Sequence, residues 1–439
     1  MLKNLLSKYE VLIKIVLTLV IIGVNFYRCP QLLYEPRFYA EEGQSFFAFA
    51  YNNSLLDYIL TPMYGYYALY NVISTYLATL IKLEYSVFIT IYMALCVQII
   101  TSAYVLWSDI PILDSKIKRF LVAIIFPLLC PAQIWLTTIG VQYWLCIITV
   151  LILLEKHSTE SKSTYMLKAI VLLINGLTGV LSCLVTPLYI VKMIANKSKQ
   201  LILFTGILCL CSGIQISIFI SAYLKHDNGL AYRFVRDKSV IDFIYKTSIL
   251  FFHNMLITRD LMVKLTTLDI INNIDLMINE KILNILGRPL FAQYELLYIL
   301  NSIIIAIVLI PVIIKNYNKI DYLVIIFASL IIHYFSVFLS INFTSGNRYL
   351  FAPMAILMLL LVASINKNNF CSAYRYYSSI IIALIFLSHI LDYTFSMNQT
   401  YNDNWPKWKE EVRLWRLDAN HPLQIWPPPW QMNLKDAGN

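Results

Sequence analysis

Long apolar runs separated by short basic loops repeat from one end of this chain to the other. Runs of 16 to 25 residues fall near 9–28, 67–82, 85–107, 119–135, 136–154, 168–190, 200–224, 294–315, 321–341, 349–365 and 377–394. A helix needs roughly 20 apolar residues to cross a bilayer, and buried helices of soluble proteins rarely exceed about half that. No stretch shows the period-2 alternation of a membrane barrel, and helices satisfy their own backbone polar groups in lipid. The pattern predicts an all-α polytopic integral membrane protein with about eleven transmembrane helices.

The loops predict its orientation. "EKHSTESKSTYMLK", "NKSKQ", "KNYNK" and "NKNNFCSAYR" are rich in lysine and arginine, which are retained on the cytoplasmic side. Lys3, Lys8 and Lys14 mark the start of the first run as cytoplasmic too. That run is too long for a signal-peptide core and lacks a small-residue cleavage site, so it reads as a retained helix. Loops 29–66 and 225–293 then lie on the outer face of a transmembrane domain spanning 1–394, and 395–439 form an extracytoplasmic Trp/Pro-rich tail. "DSKIKR" (114–119) departs from this scheme, because it is basic yet counts as outside. Either 119–154 or 168–196 would then be a re-entrant hairpin. "FPLLCPAQ" and "GLTGVLSC" hold the proline and glycines that such breaks use.

Composition agrees: the chain is 59% hydrophobic and only 13% charged. Its net charge of +9 is spread over loops and forms no block, which points to anionic lipid headgroups and away from nucleic acid. The eight cysteines lie mostly in apolar runs without a CxxC pair, so neither zinc nor a disulfide framework is expected. Gln98, Gln215 and His333, the sparse polar residues within spans, read as interhelical hydrogen-bonding groups.

Candidate chemistry gathers outside the spans. "YEPRFYAEEGQSFFAFAYN" sets Glu41 and Glu42 among aromatic rings with Arg37 four residues before Glu41. Such a pair is often an idle solvated charge. Burial among rings would raise a carboxyl's pKa and suit a general base. Adjacent residues on a helix point about 100° apart, so one glutamate can face a substrate while the other orients a loop. "FTSGNRYLFAP" places Arg348 and Tyr349 at a helix mouth, where the arginine either snorkels or clamps a phosphate with its planar fork. Loop 225–293 adds Arg233 and Arg236. No outer Asp-x-Asp or His cluster suggests a metal, so arginines would carry a leaving group's charge, and no cofactor is expected. In the tail, Trp405, Trp408, Val412 and Trp415 recur at helical spacing, which reads as an interfacial amphipathic helix. "IWPPPW" reads as a stiff polyproline arm presenting Trp426 and Trp430, either as a membrane belt or as a platform for sugar rings or a lipid headgroup.

"PRFYAEEGQSFF" resembles the first extracytoplasmic loop of GT-C-type membrane glycosyltransferases, in particular the bacterial and phage-borne serotype-converting O-antigen glucosyltransferases. Their loop typically reads aromatic-Ala-Glu-Asp-Gly, and here Glu42 stands where aspartate is usual. "QIWLTTIGVQYWL", "NGLTGVLSCLVTPLY", "GNRYLFAP" and "PLQIWPPPWQMNL" resemble further stretches of these chains in the same order, with Val180 in place of an expected proline. The resemblance implies a bacterial inner-membrane enzyme that moves a sugar, with inversion, from a polyprenyl-phosphate donor to a hydroxyl of a lipid-linked glycan. Glu41 or Glu42 would be the base, and Arg348, helped by Arg233 or Arg236, would stabilise the departing phosphate. A flippase and a polyprenyl-phosphate glucosyltransferase would be its partners. The rival readings are an O-antigen polymerase or ligase, and a non-enzymatic lipid-linked sugar transporter.

Overall fold

The computed structural model describes residues 2–156, 161–225, 247–248, 251–258, 261, 295–338, 348–365, 371–394 and 407–435. The chain folds as an all-α, multi-pass membrane protein in two compact units, Met1–Val235 with Met397–Asn439, and Arg236–Ser396. The first unit contains α1 (Leu2–Arg28), α2 (Gln31–Tyr34), α3 (Ala48–Asn52), α4 (Leu55–Leu60), α5 (Leu69–Thr79), α6 (Leu83–Trp107), α7 (Lys116–Leu129), α8 (Val141–Leu154), α9 (Lys162–Gly176), α10 (Thr186–Asn196) and α11 (Lys199–Leu224). The second contains α12 (Glu295–Asn316), α13 (Ile320–Phe338), α14 (Arg348–Ala363) and α15 (Ser372–Tyr393). The tail returns to the first unit as α16 (Trp408–Leu417) and the two-residue strands β1 (Leu423–Gln424) and β2 (Gln431–Met432).

Six helices among the described residues, α1, α6, α11, α12, α13 and α15, are long and apolar enough to cross a membrane. The other five expected spans fall on helices of 11 to 16 residues, because polar or Gly/Pro-containing segments end them early. Of these, α5 is the one short span formed by a single 11-residue helix. Its 11 residues reach about 16 Å, well short of a bilayer core. Asn71, Ser74 and Thr75 are buried on it, and the Thr75 hydroxyl is 2.6 Å from the Tyr58 hydroxyl of α4.

Leaving α5 out of the count accounts for "DSKIKR". Lys116 Nζ lies 3.7 Å from Glu10 Oε2, so the basic loop sits at the end of the unit where α1 begins. Asp109 O accepts a 3.2 Å hydrogen bond from Lys156 N, which brings the end of α8 there as well. At the opposite end Arg28 Nη1 donates to Pro127 O at 3.3 Å. Thus α7 and α8, at 14 residues each, run from one end of the unit to the other and back.

The chain breaks at both places the sequence named, 130–140 and 177–185. At the second, α9 climbs α8 and α10 descends it. Asn175 Nδ2 donates to Leu145 O and Thr149 Oγ1, both at 3.0 Å. Tyr189 Oη then donates to Thr149 O at 2.7 Å, and Lys192 Nζ to Leu153 O at 2.5 Å. Within the first unit, α9 and α10 thus form a helical hairpin packed along α8. Gly179 turns its tip at φ +79°, where an added Cβ would lie 2.4 Å from Gln142 Oε1. Gln215 closes the tip by accepting from Tyr67 N and donating to Tyr67 O, each at 2.9 Å. Gln98, by contrast, is buried with no hydrogen bond among the described residues. In the second unit α14 is buried from Leu350 to Ala363, as expected of a helix that is apolar all round.

Candidate active site

The carboxylate loop is held in an unusual backbone. Ala40 has φ +44°, a region where a Cβ is strained, and Glu42–Phe47 form a π-helical turn. Both features concentrate at functional sites and persist only where surrounding structure enforces them. Here the tail enforces them. Ala40 N donates to Trp426 O at 2.5 Å and Trp426 N donates to Phe38 O at 3.1 Å, an isolated parallel bridge between Tyr39 and Trp426. Gly43 permits the approach, since a Cβ there would lie 2.7 Å from Phe38 Cβ and 2.8 Å from Ile425 Cδ1.

The two glutamates part company. Glu42 is 0% exposed, and its Oε1 accepts from Thr138 N at 2.7 Å and from Thr138 Oγ1 at 2.6 Å. Its Oε2 accepts from Tyr39 N at 3.3 Å. Burial pushes the Glu42 carboxyl above the usual glutamate range, while Thr138, Tyr39 and the Arg37 charge pull the other way. Glu41, one residue earlier, stays partly exposed at the head of the π-turn. Arg37 is buried too, its guanidinium 5.1 Å from the Trp426 ring centroid and 5.7 Å from that of Tyr39.

The tail differs from expectation. Trp408, Val412 and Trp415 do follow helical spacing, but the stripe is buried against protein, where an interfacial helix would face lipid. Trp408 Nε1 donates to Leu83 O at 2.8 Å, and its ring meets Phe38 edge-on at 5.1 Å. The stripe is apolar because Phe38 and Tyr51 of the loop are its partners. "IWPPPW" is no extended arm. Its prolines make the turn of the β1–β2 hairpin, with Trp430 N donating to Pro427 O at 3.0 Å. Trp426 packs with Tyr39 and Ala40, and the half-buried Trp430 lies against them. Trp405 lies outside the described residues.

Glu41, Glu42, Arg37, Trp426 and Trp430 thus meet in the first unit. Arg348 and Tyr349 open α14 in the second, where Arg348 Nη2 donates to Tyr349 Oη at 3.1 Å. Arg233 and Arg236 lie outside the described residues. Two elements escaped the sequence reading. Thr138 was part of a quoted motif, but nothing in its spacing pointed to Glu42. Glu155 and Lys168 were read as loop charges, yet they form a buried ion pair that also takes the Tyr104 hydroxyl at 2.9 Å. Comparison with protein-family models, with curated proteins and with solved structures yields no match to this chain.

Proposed function

We propose that this chain is a GT-C-type membrane glycosyltransferase that moves a sugar from a polyprenyl-phosphate donor to a hydroxyl of a lipid-linked glycan. The observation that carries this reading is the division of labour between the two glutamates. Glu42, buried and held by Thr138 and Tyr39, positions the loop, and partly exposed Glu41 is left to act. In the proposed step the Glu41 carboxylate takes the proton of the acceptor hydroxyl. That oxygen bonds to the anomeric carbon from the face opposite the phosphate, and the carbon–oxygen bond to phosphate breaks. The electron pair leaves on the polyprenyl phosphate, and the sugar configuration inverts. Arg348, with Arg233 or Arg236, would balance the leaving charge. On this reading the N-terminus is cytoplasmic in a bacterial inner membrane and the tail lies on the outer face. O-antigen would be the acceptor, with a flippase and a polyprenyl-phosphate glucosyltransferase as partners.

The breaks at 130–140 and 177–185 favour one other reading, because transporters also build their sites from interrupted helices. Purified protein in detergent, given polyprenyl-phosphate glucose and a lipid-linked glycan, separates the two. A transferase makes product without any compartment, and Glu41→Gln lowers its turnover by about 10²–10⁴, the usual cost of a lost base. Glu42→Gln should retain more activity than Glu41→Gln. Absence of product, or full activity in Glu41→Gln, would refute the assignment.

A further inference from the structure

Beside the carboxylate loop an open cleft of about 470 Å³ separates the helical segment carrying Gln44, Phe49 and Asn53 from the end of the tail carrying Gln431 and Asn433. Its size lies within the range of small-molecule sites. Its composition is unusual for a protein this apolar. Five of its ten lining residues are primary amides, and no carboxylate is among them. Gln44, Asn53, Gln431 and Asn433 are exposed. The fifth, Asn52, joins the two walls. Its Nδ2 donates to Asn433 O at 3.1 Å, and its Oδ1 accepts from Lys435 N at 2.8 Å. Ser45, also in the lining, is hydrogen-bonded through its hydroxyl to that of Tyr64, which fixes the helical wall.

A primary amide both donates and accepts, so two or three amides can satisfy the adjacent hydroxyls of a sugar, each of which also does both. Half-buried Phe49 and Met63 supply the apolar patch on which the C–H face of a sugar ring rests. A phosphate or acidic ligand would call for more cations than Lys435, the single charged residue in the lining. Gln44 and Ser45 follow Glu41 by three and four residues, so one wall of the cleft belongs to the same π-helical turn that Glu41 heads.

We propose that this cleft is the acceptor subsite and that it binds a neutral, polyhydroxylated glycan. The proposal rests on the transferase reading for its role, but glycan binding itself can be measured without turnover. The test uses the full chain in lipid nanodiscs and saturation-transfer NMR with lipid-free O-antigen repeat-unit oligosaccharides, a neutral set and a uronic-acid-containing set. The variants are Gln44→Ala/Gln431→Ala, and Gln431→Glu, which keeps the size but loses the donors. Saturable binding of at least one neutral glycan, weakened at least about tenfold in both variants at unchanged thermal midpoint, is the expected result. In turnover the acceptor KM should rise while the donor KM stays constant. Equal binding by the variants, preference for acidic glycans, or no glycan binding would overturn the subsite. Binding without any sugar transfer would support the subsite and refute the transferase reading.

Discussion

Both hydrogen bonds that Glu42 Oε1 accepts, at 2.7 and 2.6 Å, come from Thr138, a residue 96 positions away. A backbone amide and a hydroxyl of one side chain thus converge on a carboxylate with no exposure to water. The pair fastens the carboxylate loop to the break between α7 and α8. It also fixes the backbone that carries Glu41, the adjacent residue.

Thr138→Val removes the hydroxyl donor and leaves the amide. Taking one partner from a buried polar group costs about 1–3 kcal/mol, so thermal unfolding in nanodiscs should show a loss in that range. Thr138→Ser should recover most of it, and sugar transfer should follow the same order. Stability of the valine variant equal to wild type would mean that Glu42 is held by something other than this contact.

Burial raises the Glu42 carboxyl, so the folded protein keeps a proton that the unfolded chain releases near an ordinary glutamate value of about 4.3. Stability from this group is therefore complete below that pH and is lost as pH climbs through the folded value. Glu42→Gln cannot titrate. The thermal midpoint of wild type minus that of Glu42→Gln should fall as pH rises from 4 toward neutrality, and a flat or rising difference would contradict this.

Gly43→Ala tests the docking of the tail on the loop. A Cβ at 2.7 Å from Phe38 Cβ forces a shift, and overpacking of this kind typically costs about 1–3 kcal/mol. The expected signature is faster proteolysis within 407–435 together with lost activity, while membrane insertion is unchanged. A tail as resistant as in wild type would show that the loop absorbs the methyl group.

How much of this was legible beforehand depended on the distance over which each signal acts. The apolar runs were, because composition alone selects a membrane helix. The 11-residue α5 was not distinguished from a span, since a short apolar run reads the same whether it crosses or lies against a loop. The Trp408–Val412–Trp415 stripe was found but assigned to lipid, because an apolar stripe does not say whether lipid or protein covers it. The Glu41–Glu42 pair was found as a pair, and the contact that most clearly tells the two apart comes from Thr138, distant in sequence.

Arg348→Lys distinguishes a phosphate clamp from a membrane anchor. A lysine keeps the charge but cannot make two parallel bonds to phosphate. As a clamp, Arg348 should lose clear turnover on change to lysine and more on change to alanine, with insertion unchanged, measured over several donor concentrations. Equal turnover of Arg348→Lys and wild type would assign the residue to anchoring.

The bridge between Tyr39 and Trp426 has a further consequence, which is one of parity. Residues joined by backbone hydrogen bonds occupy the same side of a membrane, so the chain between them crosses an even number of times. Five of the six membrane-length helices lie in that interval, an odd number. If each crosses once, the rest of the chain between Tyr39 and Trp426 must supply an odd remainder. If α7 and α8 cross the membrane as they cross the unit, one further segment must cross to make the sum even. Single-cysteine labelling from either side of the membrane would read that parity directly, because positions 52 and 433 must react from the same side.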